Sequence, residues 1–231
     1  MAEAQLARAG RHRDSRETQE RLLDAAERLL AERGFAGTSL RAVTQAAGTS
    51  VSAANYHFGS KEELWRATLA RRIAPINRRR LESLDALEQA AGGAPLALEA
   101  IFEAYLGPLF AERAARHAVH FVAARLYSDP PELVSTLKLE LFGEVIRRFL
   151  DALARALPDR SRMELGLRFQ FAVGCMVHVM SGNLEDAPLL MESVPESAAA
   201  AADDVLADAS VLRHMVAFIA AGLRAPAGDA R

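Results

Sequence analysis

The side chains with chemical reach cluster between Thr38 and Lys61. Arg41 precedes a run of small and hydroxyl residues, Thr49, Ser50, Val51, Ser52 and Ala53, and the polar residues Asn55, Tyr56 and His57 follow at once. Hydroxyl, amide, phenol, imidazole and cationic groups hold phosphate oxygens, and small side chains let a helix end approach base edges and thymine methyls in a major groove. Tyr56 and His57 carry polar hydrogens that can reach phosphate, whereas Phe58 carries none and is expected to pack inward as an anchor. Lys61 can join free backbone amides at the start of the next helix in holding a phosphate.

Nothing else in the chain offers a reaction. His117 and His120 stand three apart with no acid or cysteine at ligand spacing. His178 follows Cys175 by three on one helical face, but a metal site usually needs a third and fourth ligand, so packing is the expected role. There is no HExxH, no GxSxG and no glycine-rich phosphate loop after a strand. The expectation is no catalytic residue, no metal, no cofactor and no enzymatic activity.

The elements that must position Thr38 to Lys61 are short helices. Thr38 and Ser39 are placed to cap a two-turn helix whose apolar positions Leu40, Val43 and Ala46/Ala47 recur at helical spacing. Gly48 supplies the left-handed residue of a sharp turn, and Ser50 caps a second helix, roughly Val51 to His57. Ser60 then caps a third, with Glu62 and Glu63 in the first turn where the macrodipole favours acids. This is a helix-turn-helix pattern. Before it, a helix from about Ser15 to Arg33 sets Leu22, Ala26, Leu29 and Leu30 in one stripe as scaffold, and Gly34 stops it.

The run AAGTSVSAANYHFGSKEEL resembles the DNA-binding signature of the TetR family of one-component transcriptional regulators, and the likeness extends upstream through RLLDAAERLLAERGFAGTSLRAV. It covers Arg16 to about Leu69. The resemblance implies that Val51, Ser52 and Ala53 face bases, that Arg41 matches an arginine that in some members reads a guanine, and that Thr38, Tyr56, His57 and Lys61 contact the DNA backbone. Thr49 and Ser50 join this DNA-binding set. Asn55 departs from the pattern, because many members carry a second aromatic there; it either grips phosphate or reads a base such as adenine.

Charge supports one module meeting a polyanion. Residues 1–80 hold 15 Lys/Arg against 9 Asp/Glu, and residues 81–231 hold 13 against 21, for a net charge of −2. The segment 1–15 reads as a flexible basic arm able to touch flanking phosphates or minor groove, with Arg8, Arg11 and Arg13 but no apolar core behind them to make a secretory signal. One cysteine rules out an internal disulfide framework and suits the cytoplasm, and no window reaches the roughly 18–20 apolar residues of a membrane span.

The rest reads as helix throughout, giving an all-α chain of about nine helices: a helix-turn-helix domain at 16–75, a ligand-binding and dimerisation bundle at 76–225, and a disordered tail at 226–231. A helix from Lys61 to about Ala91 joins the two, and Pro75 is expected to kink or split it near Ala74. Further helices are placed at about Leu96–Glu112, Ala114–Tyr127, Pro131–Ala156, Ser161–Ser181 and Ala202–Leu223. Phe169 to Met180 has no charge and Val211 to Leu223 only one, so both need cover on most sides, and a second copy of the chain is the expected cover. A two-fold homodimer through these last two long helices then reads a palindromic double-stranded operator.

Phe102, Tyr105 and Leu106, with Pro108 weakening their helix, are the expected wall of a pocket for a small apolar effector. Phe121, Arg125, Phe171 and Met176 are expected to face them. Arg125 either binds an effector carboxylate or phosphate or pairs with an acid such as Asp129. The runs RRIAPINRRRLESLDALEQ and LEAIFEAYLGPLF resemble a fatty-acid-responsive, PsrA-like subgroup of the same family, which implies a long-chain acyl effector. A repressor released by its effector is the favoured function. A ligand-independent regulator or activator, or a helical carrier or enzyme with a vestigial helix-turn-helix, are the rivals.

Overall fold

The computed structural model of the chain describes residues 2–111, 131–180 and 208–226, with side chains from residues 14, 135 and 208 onward in the three stretches. The fold is all-α, with eight helices and no strand among the described residues: α1 (Ala2–Gly37), α2 (Leu40–Ala46), α3 (Val51–Phe58), α4 (Lys61–Ala91), α5 (Leu98–Phe110), α6 (Pro131–Ala156), α7 (Arg162–Met180) and α8 (Asp208–Arg224). The helix expected at Ala114–Tyr127 lies outside the described residues, as does the tail from residue 227. Two compact units divide within α4 between Ile73 and Ala74, and the start of α6, to Lys138, belongs to the first.

In the first unit α1 contributes Leu22, Leu23, Ala25, Ala26, Leu29 and Leu30 to a core completed by Val43 and Ala47, Ala54 of α3, and Leu64, Trp65 and Leu69 of α4. Phe35 closes it, its ring 5.4 Å from that of Trp65. α1 breaks at Gly34, whose φ of 69° lies where a side chain would be strained, so the stop expected there is observed. At its other end α1 begins at Ala2, and the backbone of the basic segment is helix where a flexible arm was expected. Arg71 of α4 ion-pairs with Glu20, Asp24 and Glu27 of α1, and Arg72 with Glu27. The acids of α1 are thus structural partners of α4.

α4 continues as one helix through Pro75 rather than splitting. In the second unit its face Ile76, Arg80 and Leu84 is buried, as are Ile101, Phe102, Tyr105, Leu106 and Leu109 of α5, Phe149 and Leu153 of α6, Phe169 and Met176 of α7, and Val216 and Ile219 of α8. α5 and α8 pack along each other. Arg224 at the end of α8 meets Glu99 at the start of α5 at 2.7 Å, so the two run antiparallel. Arg160 and Arg168 of the α7 end donate to the Ala225 and Leu223 carbonyls at 2.8 and 3.2 Å, putting cations on the open end of α8, where its dipole favours them. Arg148 bonds Asp85 and Glu88, and Arg155 bonds Glu88, tying α6 to α4.

Candidate functional site

Three serine caps set the positions of α2, α3 and α4. Ser39 Oγ accepts from the Ala42 amide, Ser50 Oγ from Ala53 and Ser60 Oγ from Glu63, each at 3.1 Å. Between α2 and α3, Gly48 takes φ 61°, which lets the Thr49 amide return to the Thr44 carbonyl at 2.9 Å and close α2. α3 is therefore held by its cap, by the turn, and by one buried side chain, Ala54. A methyl as the sole buried contact brings the α3 backbone close to α1 and α2.

The rest of α3 is more open, with Phe58, the expected inward anchor, half-buried. Val51, Ser52, Asn55 and Tyr56 are exposed, Tyr56 to 84%, and Ala53 and His57 are half-buried. Tyr56, His57 and Phe58 form a stepped row, with ring centroids 5.3 Å and 6.2 Å apart in turn. Arg41 on α2 is exposed and Thr49 half-buried. Lys61 holds its ammonium 4.0 Å over the Phe35 ring at the α4 N-terminus. Val51, Ser52, Asn55, Tyr56 and Arg41 thus leave polar hydrogens and small apolar surface for an outside partner.

Thr38 does not belong to this surface. It is buried, and its hydroxyl lies 2.8 Å from the Gly34 carbonyl and 3.1 Å from that of Leu29. The reason is the Gly34 break, which frees the Gly34 carbonyl and turns the chain back so that residue 38 can satisfy it. Conversely, α1 does more than support. An Arg21 Nη1 stands 3.9 Å from where a Cβ on Gly48 would sit, which puts a cation beside the α2–α3 turn. Nothing in the local sequence around Arg21 signals this, because the proximity depends on how α1 crosses the turn.

In the second unit Phe102, Tyr105, Leu106 and Met176 are all buried. Tyr105 is the hub, its ring 5.1 Å from Phe149 and 5.0 Å from Phe169, both edge-on, with Phe102 6.4 Å from Phe169. Phe171 is a correction: it is 62% exposed on the outer face of α7, one step of 100° round the helix from inward Ala172 and two from inward Phe169. Phe121 and Arg125 lie outside the described residues.

The arginine that the structure does place inside is Arg80, 2% exposed. Its Nε donates to the Tyr105 carbonyl at 2.8 Å, Nη1 to Asn77 Oδ1 at 3.1 Å and Nη2 to Met176 Sδ at 3.4 Å. Asn77 is itself buried and donates to the Leu141 carbonyl at 2.6 Å. The triplet Arg78, Arg79, Arg80 looks like a solvated run, yet position 80 continues the stripe Ile73, Ile76/Asn77, Leu84 at 3-4 spacing. That periodicity was the available signal. Cys175 is half-buried and His178 exposed, short of the packed pair expected, and among the described residues no group of three or more His, Cys, Asp or Glu could hold a metal ion.

Residues 22–68 match the family described as bacterial regulatory proteins, tetR family, and residues 99–222 match the tetracyclin repressor-like C-terminal domain. Among solved structures, the chain is similar to the fatty acid degradation regulator FadR from Bacillus halodurans, at 14% identity over 90% of this chain and 97% of that one, with a TM-score of 0.57. It is likewise similar to FadR from Bacillus subtilis in complex with stearoyl-CoA, at 14% identity over 88% and 98%, TM-score 0.57. A transcriptional regulator from Rhodococcus sp. Rha1 aligns at 21% identity over 90% and 99%, TM-score 0.51. At these identities the likeness is one of fold. No curated protein sequence matches the chain.

Proposed function

This chain belongs to the TetR family of DNA-binding transcriptional regulators, and from that premise we propose that it is a homodimeric repressor that reads a palindromic operator and is released by a small, largely apolar effector in its second unit. The observation that carries the DNA-reading half is α3 itself, an eight-residue helix with one buried side chain and with Val51, Ser52, Asn55 and Tyr56 left outward. Arg41 and the α3 N-terminus read bases, while Tyr56, His57 and Lys61 grip phosphates and fix the register.

The homodimer reading rests on a stripe of apolar side chains with no cover among the described residues. Met163, Leu167 and Phe171 stand outward at four-residue steps along α7, 84%, 55% and 62% exposed, and Phe218 of α8 is 70% exposed. Large apolar side chains grouped this way on two adjacent helices mark an association surface. A two-fold axis there gives the pair of recognition helices a pseudo-palindrome with half-sites about one helical turn apart. The aromatic hub around Tyr105, and likeness of fold to a FadR crystallised with stearoyl-CoA, support an apolar effector, with a long-chain fatty acid or acyl-CoA as the first candidates. The chain is expected to work in the cytoplasm.

Selection of bound duplexes from a random pool tests the reading. Enrichment of a two-fold-symmetric sequence, occupied by two chains, is expected. Equal retention of scrambled duplexes would overturn it.

A further inference from the structure

The Arg80 guanidinium is a full positive charge sealed inside an apolar cluster, and no carboxylate pairs with it among the described residues. Its three acceptors are a carbonyl, an amide oxygen and a thioether. The charge also lies 4.0 Å over the Tyr105 ring. Burial pushes the guanidinium below its ordinary value, with Tyr105 acting the other way, and no acid among the described residues contributes. Every other strongly engaged arginine of the unit has an acid on it: Arg148 and Arg155 hold Glu88, Arg160 and Arg168 hold Glu164, and Arg224 holds Glu99.

Physical chemistry makes that arrangement costly. A buried cation without a counter-charge loses its hydration and regains only part of it from neutral acceptors. A guanidinium has five N–H donors, and acceptors among the described residues take three of them. Resting on the apolar-effector reading above, we propose that Arg80 is the anchor for the carboxylate of an apolar monocarboxylic acid, whose body lies against Tyr105, Phe102, Phe169 and Met176. A single buried charge, with no second cation beside it among the described residues, balances one negative charge. A phosphate dianion would leave a net negative charge in the cluster, and a thioester carbonyl would leave the positive charge unbalanced. Bound carboxylate would also lock the three helices that already meet at Arg80: α4 through Asn77, α5 through Tyr105 and α7 through Met176.

The test uses the full-length chain and matched pairs of probes: saturated straight-chain acids of eight to eighteen carbons, the alcohols of the same length, and their CoA thioesters, each followed by calorimetric titration. Charge-assisted hydrogen bonds at this depth predict that the preferred acid binds about ten- to hundredfold more tightly than its alcohol. Arg80→Gln should remove that preference while alcohol affinity changes little, and Arg80→Lys should keep part of it. The acid-to-alcohol ratio of the native chain decides the matter even if both variants fail to fold. Acid and alcohol binding alike, or the thioester outbinding the acid, would refute the carboxylate anchor while leaving the apolar effector standing. No binding by any probe of any length would remove the apolar effector itself, and the anchor with it.

Discussion

The Thr38 hydroxyl lies 2.8 Å from the Gly34 carbonyl, across the point where α1 breaks. A residue expected on the DNA backbone is therefore a clasp within the protein. Thr38→Val keeps the shape and removes the donor, leaving the Gly34 carbonyl short of this partner, at a cost of about 1–3 kcal/mol. The expected outcome is a lower unfolding temperature with operator affinity unchanged well below that temperature. Weaker DNA binding at full stability would return Thr38 to the interface.

Arg41 and Tyr56 make the opposite pair, both outward and neither part of the core. Arg41→Ala should cost about 1–3 kcal/mol of operator binding and relax preference at one base pair. Tyr56→Ala should weaken binding to all duplexes similarly, as loss of a backbone contact does. Titrations against the selected operator and single-base variants of it separate the two patterns.

Phe218 and Val216 sit two residues apart on α8, one 70% exposed and the other 3%. Phe218→Glu should therefore yield a folded monomer by sedimentation. A two-fold axis brings one Phe218 from each chain to the seam, so the association loses about 3–6 kcal/mol at about 1.5–3 kcal/mol per side chain. Val216→Glu should instead unfold the second unit, because it buries a charge inside the chain. A Phe218→Glu dimer as tight as the native one would remove α8 from the interface.

Glu99 and Arg224 tie the start of α5 to the end of α8, and the hydrogen bond from Arg224 holds the Glu99 carboxyl below its usual range, helped by a backbone amide. A carboxyl depressed in the folded state adds stability that is present above the ordinary carboxylate pKa and lost as pH falls through the lower folded value. Glu99→Gln should thus narrow the difference in urea midpoint between neutral and acid pH. Both side chains are exposed, so the effect is small and shrinks with salt. An unchanged pH profile would mean that the pair is not formed in solution.

Much of the DNA-reading unit could be read from local chemistry. Ser39, Ser50 and Ser60 cap helices because a hydroxyl acceptor is needed within three residues of it, and Gly34 and Gly48 turn the chain because no side chain opposes a positive φ. Such causes act over a few residues and leave their mark in the sequence. The all-helical pattern and the apolar rear helices were legible for the same reason, since the 3.6-residue period is a local property.

The sequence by itself determined that α3 would be a capped, small-residue helix after a glycine turn, and that the described stretches beyond it would be helical. Only the tertiary structure decided which side each ambiguous residue faces. It turned Thr38 inward and Phe171 outward, placed Arg21 beside the turn, and took one arginine of three, Arg80, into the aromatic cluster. The physical reason is that a helix offers several adjacent faces a step of about 100° apart. Which of them meets a neighbour is settled by helices distant in sequence, here α5 and α7 closing over α4.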